Sequence, residues 1–378
     1  MADDLRPLSQ EGFSDAVKQL EQLLSHSRRA FLLGAGCSFC AGLPLMRNLT
    51  EDVLGSQELS RSTKSILASL VQQFEGSTVA TIEDYMSELI DLLSIAERRS
   101  YCGANICNVR LKRTNYSVDK LQSALSEIKA AIAYCIENKN PTLLTHRAFV
   151  HAVHSTLQSG KLIDPSAVDY FTLNYDTLLE DALALERIHY SDGFSGGTTG
   201  WWEQRSFNEN VAARIFKIHG SIDWCQFDGE ILPRRVRPNI ASGASLKKVM
   251  IWPAATKYRE AQRDPYAQMI SIMRQTLRPN ESNEVVLTIC GYRFGDAHIN
   301  IELDRALRES GERLTIVVFA EDELNGQLIK WCEDPGVAKQ VRVYGKNGFY
   351  HGDVRIESSD DLPWWKFENL TRLLRGER

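Results

Sequence analysis

Apolar residues recur along the chain with two different spacings, and their alternation predicts the architecture. Phe13, Val17, Leu20 and Leu24 fall three or four apart with polar residues between them, which is one face of a helix. Ala30-Phe31-Leu32-Leu33 is instead a short unbroken apolar run stopped by Gly34, as expected of a strand buried on both faces of a parallel sheet. From about Leu49 to His154 the helical spacing dominates. Within that block Thr81-Ile82-Glu83-Asp84 has the form of a capped helix start, and Ile82, Tyr85, Met86, Leu89 and Leu93 make its apolar face.

Val168-Asp169-Tyr170-Phe171-Thr172-Leu173 predicts a second strand ending at Asn174, and helical spacing follows from Thr177 to Leu185. Glycines 193, 196, 197 and 200 mark the segment from Ser191 to Trp202 as a loop. Ile215, Phe216 and Ile218 then predict a short strand ending at His219-Gly220, with further strands from Val285 to Cys290, stopped by Gly291, and from Leu314 to Phe319. Strands alternating with helices predict an α/β fold, a Rossmann-like doubly wound parallel sheet with a helical insertion block. The expected organisation is an N-terminal helical extension over 1–29, the α/β domain over 30–320 with the insertion at about 49–154, and a C-terminal extension over 321–378. That last segment should hold short strands between Val341 and Ile356, a hairpin turn at Asn347-Gly348 and a final helix near Trp365 to Leu374, available for assembly contacts.

Composition narrows the class of protein. The 378 residues are 43% hydrophobic and 25% charged, which is that of a folded chain rather than a disordered one. With 44 basic against 49 acidic side chains the formal charge is −5, so no general cationic field draws the chain to nucleic acid, and direct nucleic-acid binding is not expected. The opening Met1-Ala2-Asp3-Asp4 is acidic from the start, unlike a secretory or transit signal, and predicts a cytoplasmic protein. The charge-free stretch from Ala30 to Met46 carries Gly34, Gly36, Gly42 and Pro44 and is too short for a membrane span. Eight scattered cysteines in a chain with ample core read as reduced thiols.

In an open parallel sheet, ligands bind beyond the carboxyl ends of the strands. Here those ends read Gly34-Ala35-Gly36, Asn174-Tyr175-Asp176, His219-Gly220 and Gly291-Tyr292. Two glycines let a backbone approach a pyrophosphate, and a helix opening near Ser38 would point N–H groups at it. The usual dinucleotide fingerprint is not met, because Phe39 occupies the third glycine position and no acidic residue ends a strand about 20 positions on. Taken singly, the glycine turn is equally a plain strand-to-helix connection, Asn174 a helix cap and His219 a turn histidine. Cys37-x-x-Cys40 lacks a second pair, and His151 with His154 lacks an adjoining acidic ligand, so no metal is expected. Arg234-Arg235-x-Arg237 is a short basic loop of the kind that is solvated or pairs with acids.

The longer strings are more specific. Gly34-Ala35-Gly36-Cys37-Ser38, three residues, then Gly42-Leu43-Pro44-Leu45-Met46-Arg47 resembles the NAD-binding loop of the sirtuins, with Met46 where phenylalanine is usual. Thr172-Leu173-Asn174-Tyr175-Asp176 resembles their second signature and His219-Gly220 their third, in the same order and spacing. The resemblance runs from about Phe31 to Ala320. The wording of Asn174 to Asp176, Asp192 to Phe194, Lys217 to Trp224 and Gly291 to Asp296 is closer to the sirtuin-like domains of bacterial anti-phage defence proteins than to protein deacylases. Deacylating sirtuins place a zinc ribbon after the histidine, whereas only Cys225, Cys290 and Cys332 follow His219, too far apart for such a cage.

This resemblance implies NAD+ as the substrate, hydrolysed to nicotinamide and ADP-ribose by an effector of anti-phage defence. It implies Asn174 on the ribose hydroxyls and the attacking water, His219 as general base, and Asp176 on the carboxamide. Gly34, Ala35, Gly36 and Ser38 would cradle phosphate, with Gly42, Leu43 and Pro44 completing the loop and Arg47 steadying it or an anionic oxygen. Gly291 and Tyr292 would border the adenosine ribose. A homo-oligomer and a hexameric HerA-type ATPase as partner are further implications. The alternatives are a deacylase or ADP-ribosyltransferase on the same cofactor site, and an NAD+ or ADP-ribose sensor without turnover.

Overall fold

The structure is a computed structural model that describes residues 3–26, 28–76, 80–155, 167–197, 199–227, 229–236, 247–250, 264–279, 284–321 and 326–377. Its strands, in chain order, are β1 (Arg28–Leu33), β2 (Val109–Leu111), β3 (Thr114–Tyr116), β4 (Val168–Thr172), β5 (Tyr190–Ser191), β6 (Phe194–Ser195), β7 (Gly200–Trp202), β8 (Ala213–Lys217), β9 (Gly220–Gln226), β10 (Arg234–Arg235), β11 (Lys247–Met250), β12 (Val285–Cys290), β13 (Leu314–Ala320), β14 (Val341–Gly345), β15 (Gly348–His351) and β16 (Val354–Glu357). The α-helices are α1 (Phe13–His26), α2 (Ala35–Phe39), α3 (Met46–Leu54), α4 (Arg61–Gln73), α5 (Ile82–Tyr101), α6 (Val118–Glu137), α7 (Leu144–His154), α8 (Leu178–Leu185), α9 (Tyr266–Thr276), α10 (Ala297–Glu309), α11 (Gly326–Glu333) and α12 (Phe367–Leu374).

Nine strands form the main sheet in the order β16-β15-β14-β13-β12-β1-β4-β8-β5. Every pairing from β14 to β5 is parallel, and β15 and β16 close the edge as antiparallel strands. The unbroken apolar runs explain this, since β12 and the last four residues of β1 are buried throughout and so need cover on both faces. Ala30, Leu32, Phe171, Phe216 and Ile289 pack to one side against α9, α10 and α11, while Phe31, Leu33, Tyr170, Ile215 and Val317 pack to the other against α1, α7, α8 and α12. The doubly wound α/β sheet is thus the fold. A third core, around Val53, Ile66, Leu70, Met86, Leu89 and Ile128, belongs to α3 to α6.

Several details differ from the sequence-based expectation. The helical block contains the β2–β3 hairpin, and its last helix, α7, buries Phe149, Val150 and Val153 in the core of the sheet instead of that of the block. The segment from Ser191 to Trp202 is not a plain loop but carries β6 and β7, part of a second sheet ordered β11-β9-β10-β7-β6. Its glycines serve the tight β6–β7 turn: Gly196 and Gly197 have φ of +97° and +74°, and a Cβ on Gly200 would lie 2.3 Å from the Ser195 carbonyl oxygen. The C-terminal residues belong to the main sheet, where Trp364 donates from Nε1 to Gly345 O at 2.7 Å. The Tyr344 hydroxyl donates to Ala16 O at 2.8 Å, and Lys366 and Asn369 hold Asp3, so α1 and α12 share one layer. Among the described residues no helix is long and apolar enough to cross a membrane.

Candidate active site

β1 is flanked by β12 and β4, so the chain leaves it in one direction and returns on the other side, which is the switch point where α/β sheets open a crevice. The carboxyl ends there are level: Leu33 is in register with both Cys290 and Thr172, and Thr172 with Lys217. Gly34, Asn174, His219 and Gly291 therefore all emerge on one rim.

The turns after β1 and β12 interlock. Gly34 N–H donates to Cys290 O and Gly36 N–H to Gly291 O, each at 3.0 Å. A Cβ would lie 2.4 Å from Gly291 O if built on Gly34, 2.7 Å from Gly291 Cα on Gly36, and 2.5 Å from Cys37 N on Gly291, whose φ is +68°. These three glycines are thus required first for backbone against backbone. Ala35 is exposed, Gly36 is half-buried, and Gly42, with φ of +95°, faces open space.

Asn174 joins that turn to the loop after β4. Its Nδ2 donates to Gly34 O at 3.0 Å and to Ser38 Oγ at 2.8 Å, and Ser38 Oγ donates onward to Asp176 Oδ2 at 2.7 Å. A carbonyl can only accept, so the amide nitrogen must face Gly34 and Oδ1 must face away. That Oδ1 is buried and has no hydrogen-bond partner. Asp176 Oδ1 accepts from Leu178 N–H at 3.1 Å at the start of α8. His219, buried, follows β8 on the same rim, with its ring centroid 5.8 Å from that of His298 in the first turn of α10. The strand after Gly220 crosses the Asn174 loop, with Ile222 N–H donating to Tyr175 O at 2.9 Å and Ser221 Oγ at 3.2 Å.

The remaining expected site residues are placed less directly. Leu43 is buried, in the core of the helical block, and Pro44 is half-buried ahead of α3. The Arg47 side chain is 87% exposed, 3.8 Å from Glu51. The Tyr292 hydroxyl donates to Asn300 Oδ1 at 2.9 Å and accepts from Asp296 N–H at 3.1 Å, so it braces its own loop. Burial holds the Cys37 thiol well above its ordinary range and that of Cys40 up to about 12, which keeps both protonated. His154 bonds the Tyr170 hydroxyl at 3.0 Å, and His151 lies 3.5 Å from Glu186. Arg234 pairs with Glu230, and Arg235 with Asp192 and Asp223, while Arg237 lies outside the described residues.

Four residues near the rim carried no signal of their own in the sequence. His298 faces His219, and His146 of α7 is buried, its pKa lowered by burial while the Asp176 charge opposes the shift. Lys217 and Glu180 form a buried ion pair at 3.1 Å. Only Lys217 stood inside a quoted motif, and a lone lysine ordinarily reads as a surface residue.

A surface groove lies elsewhere, between α10 and α11, and is lined by Arg305, Arg308, Glu309 and Lys330 among others. No curated protein matches the chain. A family model, that of the SIR2-like domain, matches residues 168–338, from β4 through His219 and Gly291 to the end of α11 and beyond. The Asn174 to Gly34 bond fastens the glycine turn, which precedes the matched segment, onto it, and residues 168–338 are similar to the SIR2-like domain.

Proposed function

We propose that this chain hydrolyses NAD+ at its N-glycosidic bond, releasing nicotinamide and ADP-ribose. The observation that carries the reading is the Asn174 side chain, whose Oδ1 is buried and unpartnered while its Nδ2 is held by Gly34 and Ser38 at the switch point of the sheet. Cleavage of the bond builds positive charge on the ribose, so the reaction needs the ribose held and a water delivered to its anomeric carbon. Asn174 Oδ1 is the free acceptor for a ribose hydroxyl or that water. His219 is the base that takes a proton as water adds and neutral nicotinamide departs, which balances NAD+ and water against nicotinamide, ADP-ribose and a proton.

NAD+ fits the residues present. The exposed Ala35 and half-buried Gly36 offer a small-residue surface for phosphates, and Asp176 keeps lone pairs for the carboxamide beside the bonds from Ser38 and Leu178. The SIR2-like match supports NAD chemistry. Hydrolysis is favoured over deacylation by the segment after His219, which builds an antiparallel sheet with Trp224 and Cys225 buried in it. On the resemblance to defence sirtuins, the proposal extends to a cytoplasmic anti-phage effector acting as a homo-oligomer with a hexameric HerA-type ATPase.

Purified protein incubated with NAD+ should yield nicotinamide and ADP-ribose in equal amounts by chromatography. Asn174→Ala and His219→Ala, with unchanged circular dichroism, should each lose at least about 100-fold in rate. Tight NAD+ binding with no product, alone or with the ATPase added, would sink the hydrolase reading and leave a sensor.

A further inference from the structure

Directly beneath this rim lies an ion pair that the proposed chemistry leaves unused. Lys217 is the last residue of β8, two positions before His219, and its side chain is only 2% exposed. Its ammonium donates to the carbonyl oxygen of Asp176 and lies 3.1 Å from Glu180 Oε1 in the first turn of α8. The second carboxylate oxygen, Glu180 Oε2, is buried with no hydrogen-bond partner.

A buried ion pair is a poor source of stability, because the desolvation of two charges offsets their attraction and well-packed apolar side chains do as well or better. What apolar side chains cannot do is hold a carbonyl oxygen. The one held here belongs to Asp176, in the loop whose shape aims Asn174 Oδ1 and the Asp176 carboxylate. Backbone bonds already anchor that loop at Thr172 and Tyr175, from Ile218 N–H at 3.0 Å and Ile222 N–H at 2.9 Å. Lys217 adds a hold one residue beyond Tyr175, from the strand end that presents His219.

We propose that Lys217, backed by Glu180, is a positioning residue that locks the Asn174 to Asp176 loop to the strand end bearing His219. The inference rests on the hydrolase reading of this site. Burial pushes the Glu180 carboxyl up to about 7 despite the nearby ammonium, in keeping with a pair retained for geometry over stability.

The test replaces both charges at once, Lys217→Met with Glu180→Met, because either single change would strand a buried charge. Melting temperature, kcat and KM for nicotinamide release, and amide hydrogen exchange across 173–178 are measured beside wild type. The double variant should melt no lower than wild type, lose at least about 30-fold in kcat with KM within about threefold, and exchange faster at 174–177. Lys217→Arg, which keeps the charge and a donor, should recover most of that loss. A double variant with near-normal kcat and unchanged exchange would overturn the proposal. So would one that fails to fold, since the pair would then serve the fold and not the loop. Wild type that releases no nicotinamide sinks the hydrolase reading instead, and the exchange data then decide the positioning by themselves.

Discussion

The Nδ2 of Asn174 lies 3.0 Å from the carbonyl oxygen of Gly34, and this bond, with those through Ser38 Oγ, fastens the loop after β4 to the turn after β1. It also fixes the polarity of the network, because Gly34 O, Ser38 Oγ and Asp176 Oδ2 receive or relay hydrogen bonds in one direction only. Asn174→Asp is therefore not a mild change. It puts a carboxylate oxygen against a carbonyl that can only accept, and both acceptors lose their donor. The expected outcome is a loss of roughly 2–3 kcal/mol in stability, the cost of stranding buried acceptors. Nicotinamide release should fall at least as far as in Asn174→Ala. Urea unfolding and product chromatography on the same preparations check both.

The glycines of the rim separate by what their missing side chain would meet. Gly36→Ala and Gly291→Ala each drive a methyl into the opposite backbone, at 2.7 and 2.5 Å, and Gly291 also has φ of +68°. Neither contact has a flexible side chain that yields, so each variant should lose about 2–4 kcal/mol, by overpacking at Gly36 and by overpacking with the left-handed backbone at Gly291. Gly42→Ala meets nothing within 4 Å and bears only the strain of φ +95°, roughly 1–2 kcal/mol. Denaturant melts of the three variants should give that ranking, and equal losses would overturn the interlocked-turn account.

Much of this rim is legible in the sequence, for physical reasons that differ by residue. β1, β4 and β12 announce themselves because both faces of a parallel strand are buried, and the glycines that stop β1 and β12 must be glycine for the turns to touch. Asn174 and His219 are readable only as parts of ordered strings. Lys217 is not, because its burial depends on Glu180, which α8 brings beneath it, and nothing local records that. The C-terminal hairpin shows the limit of a dipeptide rule. Asn347-Gly348 suggests the turn, yet Gly345 pairs with Gly348, and the turn residues are Lys346 and Asn347. Gly348 is instead needed within β15, where a Cβ would lie 2.4 Å from Ile356 O of the neighbouring strand.

Two buried titrations should give the stability opposite slopes with pH. The Glu180 carboxyl, ordinarily near 4.5, is pushed up to about 7 by burial, with Lys217 opposing the shift. The native state thus holds a proton that the unfolded chain releases, and this contribution is complete below about 4.5 and lost as pH rises through 7. His154, ordinarily 6.5, is depressed to about 4 by burial and by Arg29, so its contribution is present above 6.5 and lost as pH falls through 4. Each proton is worth up to about 1.4 kcal/mol per pH unit within its window. Between about pH 4.5 and 6.5 the two slopes oppose each other in wild type, so in melts from pH 4 to 8 stability should rise with pH there for Glu180→Gln and fall with pH for His154→Gln. Identical slopes in wild type and both variants would contradict the assignment.

Arg47 offers the sharpest contrast between the sequence motif and the site as it stands. Its guanidinium is 87% exposed, and its nearest acidic group, Glu51 one helical turn on, is 3.8 Å away, too loosely held to matter to the fold. Arg47→Ala should therefore leave the melting temperature within about 2 °C of wild type, as exposed surface changes do. Its effect on NAD+ separates two roles. If the side chain swings onto an anionic oxygen of the bound dinucleotide, the lost charge-assisted bond is worth about 1.5–3 kcal/mol, and KM should rise roughly 10- to 100-fold with kcat little changed. If it only steadies the loop that opens α3, kcat and KM should move together by no more than a few-fold. The outcome expected is the first, because the Arg47 guanidinium is 87% exposed and only loosely paired with Glu51, so it is free to turn towards an anionic ligand, whereas Arg235 is held between Asp192 and Asp223.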